Sequence, residues 1–557
     1  MNEVDRLSFL EKPSTIFPKY YSFCFQNAKQ EPAFIGKMYD TALWRKGFVV
    51  KSIAAMRRKL LTSNDEESIQ LFESLAMKRS QLATLLLEVP GDNVQLKQRV
   101  QQLEEEANKI ENQLLERSRG LTDDKEFTHV SWREIQAELK PGEAAVELLR
   151  FPFYDGKGWT DKTYYIALVL TQETKGAPTM VVLGEAKDLE VVPLLKYRDL
   201  SSERPVVVGF DDSAYRSLWR PLEAALGEAK TIYFSPDGLL NLVAFSVIPL
   251  DDGRRLIDTY DLRFVFSTKD LARGMSPLTA KSAVLIGDPK FDSSESAQKT
   301  TLHKRSEVTT RPETSIAEGR NNLRSQELRA GNKLLELPAS KLEIASVREL
   351  LAEQGWQVEI FTRENATEEA VQGVRAPRVL HIATHAFFLP DQATLFSTRT
   401  SLKTQASILP GIEDPMLRSG LFFAGANRAL KGEKSTEDLE DGILTAFEAS
   451  GLNLHGTELV VLSACDTGIG KIDNGEGVFG LRRAFQEAGA QAVLMSLWAV
   501  PDRETEELMT LFYSKWLAGE DKHQALREAE LELRKKVKAR YGRDLPFYWG
   551  GFVLVGR

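Results

Sequence analysis

Two short apolar segments that end in chemically reactive side chains place the strongest constraint on how this chain can fold. They run Arg378-Val-Leu-His-Ile-Ala-Thr-His385 and Leu459-Val-Val-Leu-Ser-Ala-Cys465. An apolar run of this length that stops at a small residue is typical of a buried parallel strand, which carries a functional group to its carboxyl end. Because chemistry in open α/β sheets collects at that edge, the pair predicts a Cys/His nucleophile site.

Length and composition narrow the class of protein. A chain of 557 residues predicts two or three domains, and 42% hydrophobic with 27% charged residues is an ordinary globular composition. The net charge of -8 argues against direct nucleic-acid binding, which needs a basic surface. Two cysteines, Cys24 and Cys465, exclude a disulfide framework and favour a reducing compartment, so we expect a cytoplasmic protein. We expect neither a signal peptide nor membrane association, since the apolar runs are far shorter than the ~20 residues that span a bilayer.

Hydrophobic periodicity divides the chain into three regions. Residues 1–140 are predicted to be helical, and a break at Pro90-Gly91-Asp92 indicates a helical hairpin that serves either packing or the docking of a partner. From residue 141 strands and helices alternate, which predicts mostly parallel α/β sheets flanked by helices. We place one block at 141–280 and a second at 281–557.

Two segments of the second block are expected to be irregular. The stretch 293–332 is polar and rich in Lys and Arg, which predicts a mobile loop that proteases can cleave. An irregular insert, from after Thr384 to about Asn453, is expected to separate the two reactive strands, and we single out its part 410–448. It is either a switch that assembles the pocket or a passive surface loop.

The residues at the two strand ends are candidates for a nucleophile, a general acid and oxyanion donors. Cys465 opens a Gly-rich turn before a helix, whose N-terminal potential favours the thiolate, so we interpret Cys465 as the nucleophile. His385 is placed to act as the general acid that protonates the leaving amine. The backbone N–H groups of Ala386 and Cys465 lie at turns where the chain leaves the sheet, and both are candidate oxyanion donors.

Other interpretations of the same residues remain open. Cys465 is alternatively a small buried hydrophobe, and His385 a structural histidine. A zinc site is disfavoured, because His381 and His385 lack the Glu of a His-Glu-x-x-His helix and no cysteine pair accompanies them. Gly475-Glu-Gly477-Val-Phe-Gly480 matches a dinucleotide motif but does not directly follow a strand. We therefore expect no metal and no cofactor.

Several motifs together resemble one protein family. In chain order they are His381-Ile-Ala-Thr-His385, Pro415-Met-Leu-Arg-Ser-Gly-Leu421, Ala424-Gly-Ala-Asn427, Asp441-Gly-Ile-Leu-Thr-Ala446, Ser463-Ala-Cys465-Asp-Thr-Gly, Gly475-Glu-Gly-Val-Phe-Gly-Leu481, Ser496-Leu-Trp498 and Tyr548-Trp-Gly-Gly-Phe552. This set resembles the CHAT family of caspase-like cysteine peptidases, related to separases. The resemblance covers roughly residues 140–557. It implies a pseudo-caspase block followed by a catalytic block, with Cys465 as nucleophile and His385 as its partner.

The chain departs from the family pattern in two places. Ala386 follows the histidine where many relatives carry Gly, and a positive φ there would cost a Cβ about 1 kcal/mol. Relatives often carry tetratricopeptide arrays, but the first 140 residues show no 34-residue repeat. We therefore expect a regulatory protein partner, such as a tetratricopeptide or effector-complex sensor, that contacts the N-terminal helices.

The resemblance also suggests how a substrate is selected. In related folds the P1 pocket is walled by the loop after the strand that follows the helix of the cysteine. Here that loop is Trp498-Ala-Val-Pro-Asp502, and Asp466 stands beside the nucleophile in the sequence. A partly buried carboxylate, Asp466 or Asp502, would select Arg or Lys at P1 through charge-assisted hydrogen bonds. Asp502 is alternatively the N-cap of a helix that starts at Arg503.

Two functions of different classes follow from the sequence. The first is a cytoplasmic cysteine endopeptidase that uses a Cys465/His385 dyad to cleave a specific protein substrate and is gated by a partner. The second is a catalytically silent caspase-like scaffold that mediates protein–protein interaction. Retention of both reactive residues favours the first.

Overall fold

Helices dominate the N-terminal part of the chain. The structure is a computed structural model that describes residues 15–46, 65–88, 94–118, 130–190, 212–272, 280–293, 333–388, 415–431, 440–464, 471–473 and 477–557. Within these ranges the helices before the first strand are α1 (Ile16–Asn27), α2 (Ala33–Arg45), α3 (Glu66–Glu88), α4 (Val94–Ser118) and α5 (Trp132–Glu138). α3 and α4 pack together around Leu75, Ala107 and Leu114. The described residues before the first strand are thus helical, as the periodicity predicts, whereas the bounds 1–140 of the region stay a prediction.

A single sheet of eleven strands follows in the described part of the chain. Its strands are β1 (Glu143–Tyr154), β2 (Trp159–Thr171), β3 (Thr179–Glu185), β4 (Thr231–Ser235), β5 (Asp261–Phe264), β6 (Ser282–Pro289), β7 (Gln357–Arg363), β8 (Val379–Ala383), β12 (Leu459–Ser463), β15 (Ala492–Ser496) and β16 (Phe552–Gly556). Their order is β3-β2-β1-β4-β5-β16-β15-β12-β8-β6-β7. Seven of the ten neighbouring pairs are parallel, which confirms the predicted fold class.

The two α/β blocks share this sheet. Strands β1–β5 come from the first block, and β6, β7, β8, β12, β15 and β16 come from the second. The two blocks meet where β16 lies between β5 and β15. The register there joins Val555 to Phe264. Next to this junction Arg534 donates to Asp258 at 2.7 Å, so side chains of both blocks reinforce a short backbone contact. The division into separate domains at residue 280 stays a prediction.

Helices cover the sheet of the α/β region. They are α6 (Arg220–Leu226), α7 (Leu256–Thr259), α8 (Pro338–Glu353), α9 (Glu368–Gln372), α10 (Ala426–Leu430), α11 (Ala446–Ala449), α12 (Leu481–Glu487), α13 (Asp502–Leu517) and α14 (Lys522–Tyr541). α8 packs on β6 and on α13, and α13 packs on α14. Asp521 caps the start of α14, and Gly542 ends it at a positive φ of 72°.

The insert between β8 and β12 is more regular than its sequence suggests. Its described residues contain a small antiparallel sheet of β9 (Ala386–Phe388), β10 (Ser419–Phe422) and β11 (Ile443–Thr445). The prediction of an irregular insert is therefore wrong for these residues. Strands of three or four residues are too short to show a period of their own, and they exist here because each pairs with a neighbour.

The sequence from Val478 to Gly489 predicts a helix, which in the structure begins later. Residues Lys471–Asp473 and Gly477–Phe479 form a β-hairpin ladder, β13 and β14, and helix α12 starts only at Leu481 with Gly480 as its N-cap. Val478 and Phe479 are residue types that favour strands, which accounts for the difference. Parts of the segments predicted to be irregular lie outside the described residues, namely 294–332, 410–414 and 432–439. The apolar run Pro205 to Phe210, which predicts a strand, also lies outside them.

A buried ion pair fastens the N-terminal helices to the sheet. Lys46, the residue after α2, places Nζ 2.6 Å from the Glu147 Oε1 on β1 and 2.8 Å from the Ser235 Oγ on β4. The second Glu147 oxygen accepts hydrogen bonds from Thr268 N at 2.8 Å and Thr268 Oγ1 at 2.6 Å. Both charged side chains are buried, so each depends on the other for compensation of its lost hydration.

Substitution of Lys46 tests this attachment. Lys46→Met leaves Glu147 buried without a counter-ion and is expected to lower the free energy of unfolding by about 3–5 kcal/mol. Urea unfolding followed by circular dichroism measures the change. The control Lys37→Met, on the exposed side of α2, is expected to stay within about 0.5 kcal/mol of wild type. Combining Lys46→Met with Glu147→Gln should recover part of the loss, and equal stability of Lys46→Met and wild type would contradict the interpretation.

Candidate active site

The register of two neighbouring parallel strands defines the site. In β8 and β12 Ala383 lies opposite Ser463, and all five residues of each strand are buried. The ends of the two strands therefore lie side by side at one edge of the sheet, about 4.8 Å apart. In the sequence His385 follows Ala383 by two residues, and Cys465 follows Ser463 by two. Cys465 and its neighbour Asp466 lie outside the described residues.

His385 is held by a backbone carbonyl. Its Nε2 lies 2.9 Å from the Leu335 oxygen, and its ring packs against Phe291 with 5.3 Å between ring centroids. A carbonyl oxygen only accepts, so Nε2 carries the proton and donates it, which leaves the lone pair of a neutral imidazole on Nδ1. Nδ1 is therefore the nitrogen able to exchange a proton at the strand edge. No sequence motif pointed to Leu335, because any residue type supplies this carbonyl.

The surroundings of His385 favour the neutral imidazole. The side chain is 6% exposed, and burial lowers its pKa from the ordinary value of 6.5, although the hydrogen bond to the Leu335 carbonyl works in the opposite direction. A neutral Nδ1 at neutral pH can accept a proton from a thiol. The described geometry therefore fits a histidine that acts first as a base and then as an acid.

Ala386 lies in an ordinary strand conformation. The Phe422 N–H donates to the His385 oxygen at 2.9 Å, and the Thr384 hydroxyl donates to the Phe422 oxygen. In an antiparallel ladder hydrogen-bonded pairs alternate, so the Ala386 N–H points away from β10. Among the described residues the non-glycine positions with positive φ are Asp288, Arg363 and Ala376. The Cβ of Ala386 therefore adds no left-handed strain in place of glycine.

A buried carboxylate joins the two reactive strands from below. Glu343 of α8 accepts from His381 Nε2 on β8 at 2.9 Å and from Ser463 Oγ on β12 at 2.9 Å. The other ring nitrogen of His381 lies 3.1 Å from the Tyr513 hydroxyl on α13. His381 is thus a core histidine with both nitrogens engaged, in a cluster that no sequence pattern revealed.

The predicted pocket wall is partly built into the core. Trp498 is 5% exposed, and its indole N–H donates to the Phe547 oxygen at 2.9 Å. Gly551 faces this ring, where an added Cβ would come within 3.0 Å of two indole atoms. The motif Tyr548-Trp-Gly-Gly-Phe552 therefore serves to seat Trp498.

Asp502 occupies the first position of α13, after β15. The helix begins at Asp502 and Pro501 is its N-cap, so the expectation that Asp502 caps a helix starting at Arg503 is wrong. Proline has no side-chain acceptor, and Asp502 already has helical geometry. Burial, followed by the charge of Glu343, raises the pKa of Asp502 to about 6. A half-buried carboxylate of this kind gains from an approaching cation.

Comparison with known proteins identifies the family. The chain is an α/β protein whose mostly parallel sheet carries His385 just after the carboxyl end of the central strand β8. Residues 212–557 match the model of the CHAT domain, and the chain belongs to the CHAT family. The resemblance inferred from the motifs is confirmed, although the match leaves out β1–β3.

Sequence relatives are far longer than this chain. Tetratricopeptide repeat protein 28 of Homo sapiens is 30% identical over 233 residues, which is 40% of this chain and 8% of that protein. The Mus musculus protein of the same name is 29% identical over 221 residues, again 40% and 8%. The chain thus corresponds to a small part of the curated relatives it matches.

Similar solved structures include two of one proteinase. The Arg-specific cysteine proteinase gingipain R aligns with a TM-score of 0.30 and 9% identity, over 67% of this chain and 69% of that one. A complex of the RgpB pro- and mature domains from Porphyromonas gingivalis aligns with a TM-score of 0.30 and 8% identity, over 67% of this chain and 70% of that one.

Within the described residues no helix has both the length and the apolar character needed to cross a bilayer.

Proposed function

We propose that this chain is a cysteine endopeptidase that uses Cys465 and His385 to cleave a protein substrate. The observation that supports the proposal is the register of β8 and β12, in which Ala383 lies opposite Ser463, two residues before His385 and two before Cys465 in the sequence. The carbonyl that orients His385 and the burial that keeps its imidazole neutral support the same assignment.

The proposed reaction follows the arrangement of His385. Nδ1 takes the proton of the Cys465 thiol, and the thiolate attacks the scissile carbonyl, whose oxyanion the N–H groups of Ala386 and Cys465 stabilise. The imidazolium then gives its proton to the leaving amine as the C–N bond breaks, which leaves an acyl-enzyme. A water molecule, activated by the same Nδ1, hydrolyses the thioester and regenerates the thiol.

The first test compares wild type with Cys465→Ala and His385→Gln. We expect wild type to cleave its own Lys/Arg-rich segment 293–332 and peptides of a fluorogenic library. His385→Gln should lower the cleavage rate about 10²–10⁴-fold. Because burial lowers the pKa of His385, kcat/KM should rise with pH through a midpoint below 6.5. Equal cleavage by wild type and Cys465→Ala would sink the proposal and favour the silent scaffold.

We propose in addition that the enzyme prefers Arg or Lys at P1. The half-buried carboxylate of Asp502 supports this preference, since a basic side chain would relieve the cost of its burial. Asp466, beside the nucleophile, is the second candidate carboxylate. Trp498, fixed by Phe547, would supply a rigid apolar wall along the methylene stem of the same side chain.

Asp502→Asn tests the P1 preference. We expect kcat/KM for peptides with Arg or Lys at P1 to fall about tenfold or more, while peptides with a neutral P1 keep their rate. In wild type the basic preference should fade below about pH 6, where Asp502 becomes protonated. A raised carboxyl pKa means that the folded state loses stability as pH rises towards 6, so Asp502→Asn should fold at least as stably at pH 7.5. An unchanged preference in both Asp502→Asn and Asp466→Asn would remove the idea.

We propose finally that a protein partner gates the site through the hairpin of α3 and α4. Arg79 of α3 forms an ion pair with Glu111 of α4 and lies 3.7 Å from the ring centroid of Phe447 on α11. α11 directly follows β11, which pairs with β10, and β10 pairs with β9 next to His385. α11 also packs on α12, the helix after Cys465. These contacts support a route from the hairpin to both reactive positions.

Arg79→Ala tests this gating. The cation–π contact of Arg79 with Phe447 is worth about 1 kcal/mol, so its loss should shift the equilibrium between the closed and the open site about fivefold towards the open form. Iodoacetamide should then label Cys465 faster. Cys24, the other cysteine, is buried and burial raises its pKa, so peptide mapping can separate the two thiols. Arg99→Ala, on the exposed face of α4, is the control. Identical labelling of Arg79→Ala and wild type would contradict the route.

A further inference from the structure

The side-chain amide of Asn427 clamps the backbone next to the carbonyl that orients His385. Its Oδ1 accepts the Leu334 N–H at 2.8 Å, and its Nδ2 donates to the Leu334 oxygen at 3.1 Å. Nδ2 also donates to Asp292 Oδ1 at 3.2 Å. Asn427 is 1% exposed, so water does not compete for these hydrogen bonds.

The clamped residue is adjacent to Leu335, whose carbonyl accepts from His385 Nε2. In a flexible segment this carbonyl could rotate away from His385, because one hydrogen bond alone does not fix the orientation of the peptide plane. Leu334 is held by Asn427 on one side of it. On the other side, Glu336 pairs with Arg363 at 2.8 Å, although that pair is partly exposed and contributes less. Asn427 is therefore the stronger of the two constraints on the Leu335 carbonyl.

The position of Asn427 is itself tied to the other face of His385. Gly425, at a positive φ of 89°, starts α10 and donates its N–H to the Lys290 oxygen at 3.1 Å. The Asn427 N–H donates to the Phe291 oxygen at 3.1 Å, and the Phe291 ring packs on the imidazole. One short helix thus fixes both the ring contact and, through its amide, the hydrogen-bond acceptor of His385.

We propose that Asn427 is a positioning residue for His385: by holding Leu334 it keeps the Leu335 carbonyl on Nε2, and so keeps the lone pair on Nδ1, where the reaction needs it. The role in catalysis rests on the proposed peptidase function. The effect on the imidazole itself does not. Without the clamp the Nδ1–H tautomer becomes accessible, and in that form the histidine presents a proton instead of a lone pair to the thiol.

The kinetic test uses Asn427→Ala and Asn427→Asp. Alanine removes both hydrogen bonds to Leu334. Aspartate keeps an acceptor for the Leu334 N–H, but it loses the Nδ2 donor to the Leu334 oxygen and places a second carboxylate next to Asp292. We expect kcat to fall about tenfold or more in both variants, with KM within about threefold, because the substrate is not touched. The loss of the Leu335 hydrogen bond also moves the acid limb of kcat/KM to lower pH, since this bond raises the pKa of His385.

The matched control is Asn453→Ala. Asn453 bridges Arg375 through the backbone, before the first residues of β8 and β12 and thus at the opposite edge of the sheet. We expect it to keep the wild-type kcat and pH profile. Thermal unfolding shows whether each variant is folded, and if Asn427→Ala unfolds, Asn427→Asp carries the test.

A second measurement separates this inference from the proposed function. Long-range ¹H–¹⁵N spectra of Cys465→Ala protein, with His385→Gln to assign the signal, report the tautomer directly. We expect Nε2–H in the parent and a mixture with Nδ1–H after Asn427→Ala. If the tautomer changes but wild type cleaves nothing, the peptidase proposal fails and the positioning stands. If the tautomer, kcat and the acid limb are all unchanged, the positioning role of Asn427 is overturned.

Discussion

The alignment of the two central strands β8 and β12 depends on one buried carboxylate. Glu343 takes a hydrogen bond from His381 on β8 with one oxygen and from Ser463 on β12 with the other. Because a charge in this setting is costly unless both oxygens are satisfied, the two strands are held at a single offset. A slip of one residue would separate His385 from Cys465 along the edge and turn side chains to the wrong face. Helix α8, which carries Glu343, is thus part of the machinery that aligns the site.

The same low-dielectric surroundings act in opposite ways on the titratable groups of this edge. Burial lowers the pKa of His385, which keeps the imidazole neutral, and raises that of Asp502 to about 6. A neutral imidazole is able to accept a proton near neutral pH, whereas the Asp502 carboxylate retains a charge that its surroundings disfavour. Both shifts come from withdrawal of water, so any partner or substrate that covers the edge further would strengthen both.

The sequence predicted what continuous apolar runs encode. Strands such as β8 and β12 are buried on both faces, so their composition alone marks them, and their ends located His385 and Cys465. The three short strands of the insert have no such signature, because they are stabilised by pairing between segments distant in sequence. The Leu335 carbonyl was beyond prediction for a different reason, since a backbone acceptor imposes no choice of residue. Asn427 stood in a recognised motif, but its role required knowing which chain segment lies beside it.

The place of β16 in the sheet has a consequence for biosynthesis. Residues 552–556 lie between β5 and β15, yet the ribosome makes them after every other strand of the sheet. Until then the two halves have no shared strand, and the edges of β5 and β15 stay open to non-native pairing. The sheet is thus completed from its middle only after all its other strands have been made, so the finished sheet does not exist while β1–β15 are still emerging from the ribosome.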